Sequence, residues 1–226
     1  MLVVGSRVRY RVVGQGIFHC ERCGGDRGYA RRSGRRWLHV LGIPVLPGPQ
    51  GAGEHLRCLD CGTCYRVELL AVPTVRRMRA ALQQATTTSV LAMLQAGGAS
   101  NAVARRRGIE LIRAAGSAGY GEADLTAGLR LPVSPAAGAR AESSVRPVGQ
   151  EEGDLDGRLR AAVEEFAVQL DVRAREWFLA GLVQVGLADG TLSPAEREVA
   201  QTVARYLGMS RARAQDVIWM AEEASA

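Results

Sequence analysis

Lysine is missing altogether, and all 29 basic residues of the 226-residue chain are arginine. With so much alanine and glycine beside them, this is the pattern of a G+C-rich coding bias, so the abundance of arginine is no sign of selection for phosphate recognition. No apolar run approaches the ~20 residues that cross a bilayer. The longest candidate, Trp37 to Leu46, is interrupted by Gly42 and Pro44. The opening MLVVGSRVRY has an apolar stretch too short for a signal peptide and no small-residue cleavage site. These absences lead to the expectation of a cytoplasmic protein, in whose reducing surroundings paired cysteines serve as metal ligands sooner than as disulfides. Also missing are a nucleophile with a plausible base, a Walker or GxGxxG loop and an HExxH helix, so the expectation is that the protein is not an enzyme.

What is present suffices for two small domains, with 47% hydrophobic residues and hence material for a buried core. Charge is uneven. Residues 1–72 and 73–150 each carry a net +6, whereas residues 151–226 carry −6. A basic front and an acidic back can steer an anionic or acidic partner to one end.

The texture changes along the chain. Arg7, Arg9 and Arg11 alternate with Val8, Tyr10 and Val12, the period of a strand with one polar face. Short strands, Gly and Pro continue to about residue 72. Beyond Pro73 the apolar spacing becomes three and four, at Val75, Met78 and Leu82 and then at Val90, Leu91 and Leu94, which reads as helical, with further helices over 101–115 and 122–130. Residues 131–153 are rich in Pro and Gly and poor in large apolar groups, which reads as a flexible linker. Helices resume near Leu155 with a stripe of Leu159, Val163, Phe166 and Leu170. Asp171 is placed to cap the next helix, which carries Trp177, Phe178, Leu179, Leu182 and Val183; Gly208 reads as a left-handed helix stop and Ser210 as a cap. An offset of 92 residues pairs Ala96 with Ala188, Gly98 with Gly190, Arg105 with Arg197, Arg113 with Arg205, Gly116 with Gly208 and Asp124 with Asp216, pointing to two related helix groups. The expected fold is therefore α+β and multidomain: a small β-rich ribbon over 1–72, then an all-α part over 73–226 built from halves 73–130 and 154–226.

Two CxxCG motifs, CERCGG at Cys20 and CLDCGT at Cys58, carry the clearest chemistry. Two residues between the cysteines let both sulfurs face one ion, and the following glycine accepts a left-handed turn. Cys20, Cys23, Cys58 and Cys61 together make a tetrahedral thiolate site suited to structural Zn²⁺, with an iron centre on the same ligands as the alternative. Cys64 reads as a spare thiol, since the fourth ligand and proline of a bacterial iron–sulfur motif are missing.

The segments GQGIFHCERCGGDRGYARRSGRRWLHVLGIPVLP and GEHLRCLDCGTCY resemble a family of bacterial zinc-ribbon proteins, over roughly residues 5–70. Within them Trp37 to Leu46 is expected as an apolar hairpin packing on the ribbon, with a membrane or partner contact as the alternative reading. The stretch VGLADGTLSPAEREVAQTVARYLGMS, residues 185–210, resembles the TerB-like tellurite-resistance family, which implies an all-α fold with two related halves. In that family the ADG turn and the Glu one helical turn later are suspected metal ligands. Carried over, these are Asp189 and Glu196, a candidate second site for Ca²⁺ or Mg²⁺. The same residues also read without a metal: Ser193, Pro194 and Glu196 form a capping box, and Asp189 before Gly190 is an ordinary turn former. In the first helix group Gly97 and Ala104 stand opposite Asp189 and Glu196, so a second acidic cluster is lacking.

What the resemblances imply is a cytoplasmic stress-response module of tellurite-resistance type that binds a protein partner or a membrane-associated assembly. The alternative is a nucleic-acid-binding ribbon in which Arg31, Arg32, Arg35 and Arg36 meet phosphates beside Trp37. The plainer reading of RRSGRR is a solvated hairpin turn.

Overall fold

A computed structural model describes residues 4–40, 43–130 and 155–225, and the segment read as a linker, 131–153, lies outside the described residues. The chain divides into two compact units, Met1–Arg77 and Met78–Ala226.

The first unit is an antiparallel sheet in the order β1-β2-β3-β4, formed by β1 (Val4–Cys20), β2 (Gly25–Val40), β3 (Ile43–Cys58) and the short β4 (Cys64–Tyr65). A bulge between Val12 and Gly14 interrupts the β1/β2 register. At the cysteine end the sheet buries Phe18, Cys20, Leu56 and Cys58. Phe18 meets Tyr29 and Tyr65 edge-on, with ring centroids 5.7 and 5.5 Å away, the geometry aromatic quadrupoles favour. Toward the other end both faces of β1 are open. Val8, Tyr10 and Val12 are exposed, as are Arg7, Arg9 and Arg11, so the alternation of β1 does not cover a core. The expected packing of the Trp37–Leu46 hairpin on the ribbon is likewise corrected: Leu38 pairs with Leu46, but Leu38, Ile43 and Leu46 are all exposed. Alternation states which residues share a face, and it does not supply the second layer that would bury them. A 3-10 turn, Val67–Ala71, ends the sheet.

The second part is helical: α1 (Val75–Met93), α2 (Ala102–Ala114), α3 (Glu122–Leu129), α4 (Leu155–Ala167), α5 (Val172–Gly186), α6 (Pro194–Tyr206) and α7 (Arg211–Glu223). The stop of α1 is a π turn, Leu94–Gly98, where the sequence shows only a glycine-rich break. Caps follow the local signals. Asp171 Oδ1 accepts from the Ala174 N–H at 2.8 Å, Ser210 Oγ from Arg213, and Ser193 and Glu196 form a reciprocal capping box with Pro194 in the first turn.

The offset of 92 is written into the backbone. It maps both ends of α2 onto both ends of α6, and the N-cap Asn101 onto the N-cap Ser193. Gly116 and Gly208 both take positive φ, at 106° and 72°. After each helix the same pair of hydrogen bonds closes the turn: Gly116 N–H to Arg113 O and Ser117 N–H to Ile112 O, then Gly208 N–H to Arg205 O and Met209 N–H to Ala204 O. Arg105 and Arg197, equivalent under the offset, each pair with a glutamate of the following helix, Glu122 and Glu222. The two groups share one core, in which Val90, Met93, Ile112, Leu125, Val163, Leu182, Val203 and Ile218 are buried. Among the described residues no helix is long and apolar enough to cross a membrane.

Candidate metal centre

Each CxxCG motif closes as a knuckle. In the first, Gly24 takes φ 65° and its N–H reaches Glu21 O; in the second, Gly62 takes φ 72° and its N–H reaches Cys58 O at 3.1 Å. Positive φ there is the conformation a glycine accepts without steric cost, which is why the residue after each second cysteine is Gly. The β2/β3 register sets Cys58 opposite Tyr29, and the Leu59 N–H bonds Gly28 O at 2.9 Å. These contacts tie the second knuckle to the strand that leaves the first.

The result brings Cys20, Cys23, Cys58 and Cys61 together, with all four Sγ atoms within 4.8 Å of one another. Cys20 Sγ lies 3.8 Å from Cys61 Sγ. A tetrahedral ion with sulfur bonds of about 2.3 Å has sulfur–sulfur edges of about 3.8 Å, so the cluster has the size to hold one metal ion. Cys20 and Cys58 are buried, Cys23 and Cys61 partly exposed, and Cys64 is exposed outside the cluster.

The thiols are unequal. Burial, reinforced by contacts with the neighbouring thiols, pushes Cys23 up to about 12. Contacts from the Thr63 hydroxyl, 3.3 Å from Cys61 Sγ, and from its backbone bring Cys61 down to about 6. At Cys20 burial opposes ionisation, but the Tyr65 hydroxyl at 3.2 Å and the Cys23 contacts outweigh it and the thiol lies below its ordinary value. Thr63 and Tyr65 therefore form an outer shell able to donate to thiolate sulfur and orient it. The Tyr ending the second knuckle was visible in the sequence, but its hydroxyl's reach back to Cys20 was not. Asp26, just past the first knuckle, accepts from the Val75 and Arg76 N–H groups at 2.9 and 3.0 Å and caps the first turn of α1. Those bonds, with the Arg76 N–H first, hold its carboxyl below the usual range.

The other candidate residues are not gathered in this way. Asp189 is exposed at the end of a 3-10 turn, Leu187–Asp189, whereas Glu196 is 2% exposed. Glu196 Oε2 accepts from the Ser193 N–H at 2.9 Å, so the capping role is filled. Among the described residues no third His, Cys, Asp or Glu joins them to complete a cation site. The glycine at 97 has a packing reason: a Cβ there would stand 2.7 Å from Glu196 Oε1, so the position opposite Asp189 cannot carry an acid while Glu196 occupies this site.

The RRSGRR segment is corrected from a turn to the middle of β2, paired on both sides. Successive strand residues point to opposite faces, so Arg31 and Arg35 share one face and Arg32 and Arg36 the other. Arg31 donates to Glu54 at 2.7 Å, Arg35 and Arg36 are exposed, and Trp37 is half-buried. The four cations do not make one patch.

The fold and the site define a four-cysteine ribbon joined in one chain to a bundle of two related helix groups. Residues 133–217 match the family described as Tellurite resistance protein TerB, and this C-terminal stretch is a TerB domain, taking in α4, α5, α6 and the first half of α7. No curated protein and no solved structure matches the chain.

Proposed function

We propose that the protein is a non-enzymatic, zinc-binding TerB-type protein that works in the cytoplasm as a stress-response interaction module of tellurite-resistance type. The observation that carries this reading is the four-sulfur cluster at the head of a chain whose C-terminal part is a TerB domain. Soft thiolate donors in a tetrahedral set favour Zn²⁺, and four protein ligands leave no open position for a reacting molecule, which supports a structural metal. Large apolar side chains left on the helical surface, Val168 at 86% exposure and Trp219 at 58%, support a protein partner there, with a membrane-associated assembly as the wider setting.

The test is elemental analysis of the purified, reduced protein, combined with capture from its native cells by the parent chain and by a Val168→Ser/Trp219→Ala variant. One zinc per chain and a partner lost by the variant is the expected result. Protein with no stoichiometric metal, or a capture profile identical for both chains, overturns the corresponding half of the proposal.

A further inference from the structure

The sheet of the first unit gathers onto one face cations that the sequence spreads over two strands. The β1/β2 register sets Arg7 opposite Trp37, Arg9 opposite Arg35 and Arg11 opposite Ser33. Directly opposed residues of an antiparallel pair share a face, so Arg7, Arg9, Arg11, Arg35 and Trp37 lie together. Val8, Tyr10 and Val12 take the other face, and the edge-on contact of Tyr10 with His55 marks that side independently. The four arginines of the first face are exposed, and none has a hydrogen bond or ion pair to another described residue. Acids are scarce here. Residues 1–20 contain no Asp or Glu, and Glu54, which faces Ser33 from β3, is held by Arg31 at 2.7 Å. Arg9 therefore stands against Arg35 with no acid between them, and like charges directly opposite destabilise a strand pair. Such a face gains from an anion laid across it.

We propose that this face binds single-stranded nucleic acid, its backbone running along β1 over Arg7, Arg9 and Arg11 with Arg35 beside it, and one base stacked on Trp37. Alternate residues of a strand are about 7 Å apart, close to the repeat of an extended phosphodiester chain, so the row of guanidinium groups matches a linear polyanion. A basic track with an aromatic ring on the same face is the arrangement by which unpaired strands are held without regard to sequence. A duplex groove fits less well. Three paired strands lie side by side at this level and span about 10 Å before side chains are added, against a major groove about 12 Å wide. A bilayer fits less well too, since the exposed apolar side chains of β1, Val8, Tyr10 and Val12, point away from the arginines. An acidic peptide would offer Trp37 no base.

The test is fluorescence anisotropy of labelled oligothymidylate titrated with the full chain at low salt. Binding is expected with a dissociation constant of about 10 μM or tighter, and with a salt slope of about −3, from about −0.7 for each of four phosphates met. Arg9→Gln/Arg35→Gln should weaken binding about tenfold and make the slope shallower by about one. Arg32→Gln/Arg36→Gln removes the same charge from the opposite face and should change affinity less than about threefold. Trp37→Ala should weaken binding about fivefold or more, and Trp37→Phe should restore most of the loss. The proposal is overturned by no binding to the folded parent chain at micromolar concentration, by equal losses in the two charge-matched variants, or by unchanged affinity in a folded Trp37→Ala variant. It is equally overturned by tighter binding of the same strand paired with oligoadenylate, or by displacement of the strand with polyglutamate or with vesicles of equal parts phosphatidylglycerol and phosphatidylcholine at matched charge. The salt slope is read on the parent chain and needs no variant to fold; a slope near zero also overturns the proposal.

Discussion

The two units solve the problem of staying folded by opposite means. Among the described residues the helical unit buries thirty side chains in one cluster, whereas the ribbon cluster buries four, two of which are the metal-ligand candidates Cys20 and Cys58. A core of Phe18 and Leu56 with two cysteines is too small to offset the ordering of about seventy residues, each of which costs about 1–2 kcal/mol in backbone entropy alone. The four-cysteine cluster could supply what this core lacks by holding a metal ion. The helical unit draws its stability from apolar area.

Metal removal is the sharpest way to break that contrast, because structural zinc contributes about 10–16 kcal/mol of apparent binding energy in small domains. A strong chelator, or Cys58→Ser, is expected to abolish amide-exchange protection at Phe18 and Leu56 while Ile112 and Val203 keep theirs. Acidification should act in the same direction, since each thiol must lose its proton to bind. Cys23, held up at about 12, resists that loss most, and apparent metal affinity falls as pH falls. Equal protection throughout the chain after metal stripping would show that the ribbon stands unaided. The converse experiment is Ile112→Ala in the fully buried core of the helical unit, expected to cost about 2–5 kcal/mol in urea unfolding and to leave the metal content unchanged. Smallest is Ser193→Ala, which removes one capping acceptor from α6 and is expected to cost about 0.5–2 kcal/mol, read as a drop in the melting temperature of the helical unit alone.

The same division decides what the sequence could disclose. The knuckles, the caps at Asp171, Ser193 and Ser210, and the stop at Gly208 are local events within a few residues, and each was legible because one side chain or one φ value carries it. The repeat was legible for a related reason, since Gly116 and Gly208 are fixed by turn geometry rather than by packing. Hidden features depend on distant partners. Nothing in RRSGRR marks it as the central strand of a sheet, because its pairing is provided by β1 and β3. Trp177 stands in the same run as Phe178, Leu179 and Leu182, and only the bundle's packing decides that it stays exposed while Leu179 is buried. The approach of Glu196 to Gly97, which excludes a side chain there, spans 99 residues and leaves no local trace.

Asp26 capping the first turn of α1 has a consequence for the order of events during biosynthesis. All four clustered cysteines and this carboxylate precede Val75 in the chain, so the knuckles can close before the first helix leaves the ribosome. A chain whose knuckles fail to close would begin α1 without this cap, with its two opening amides left to water.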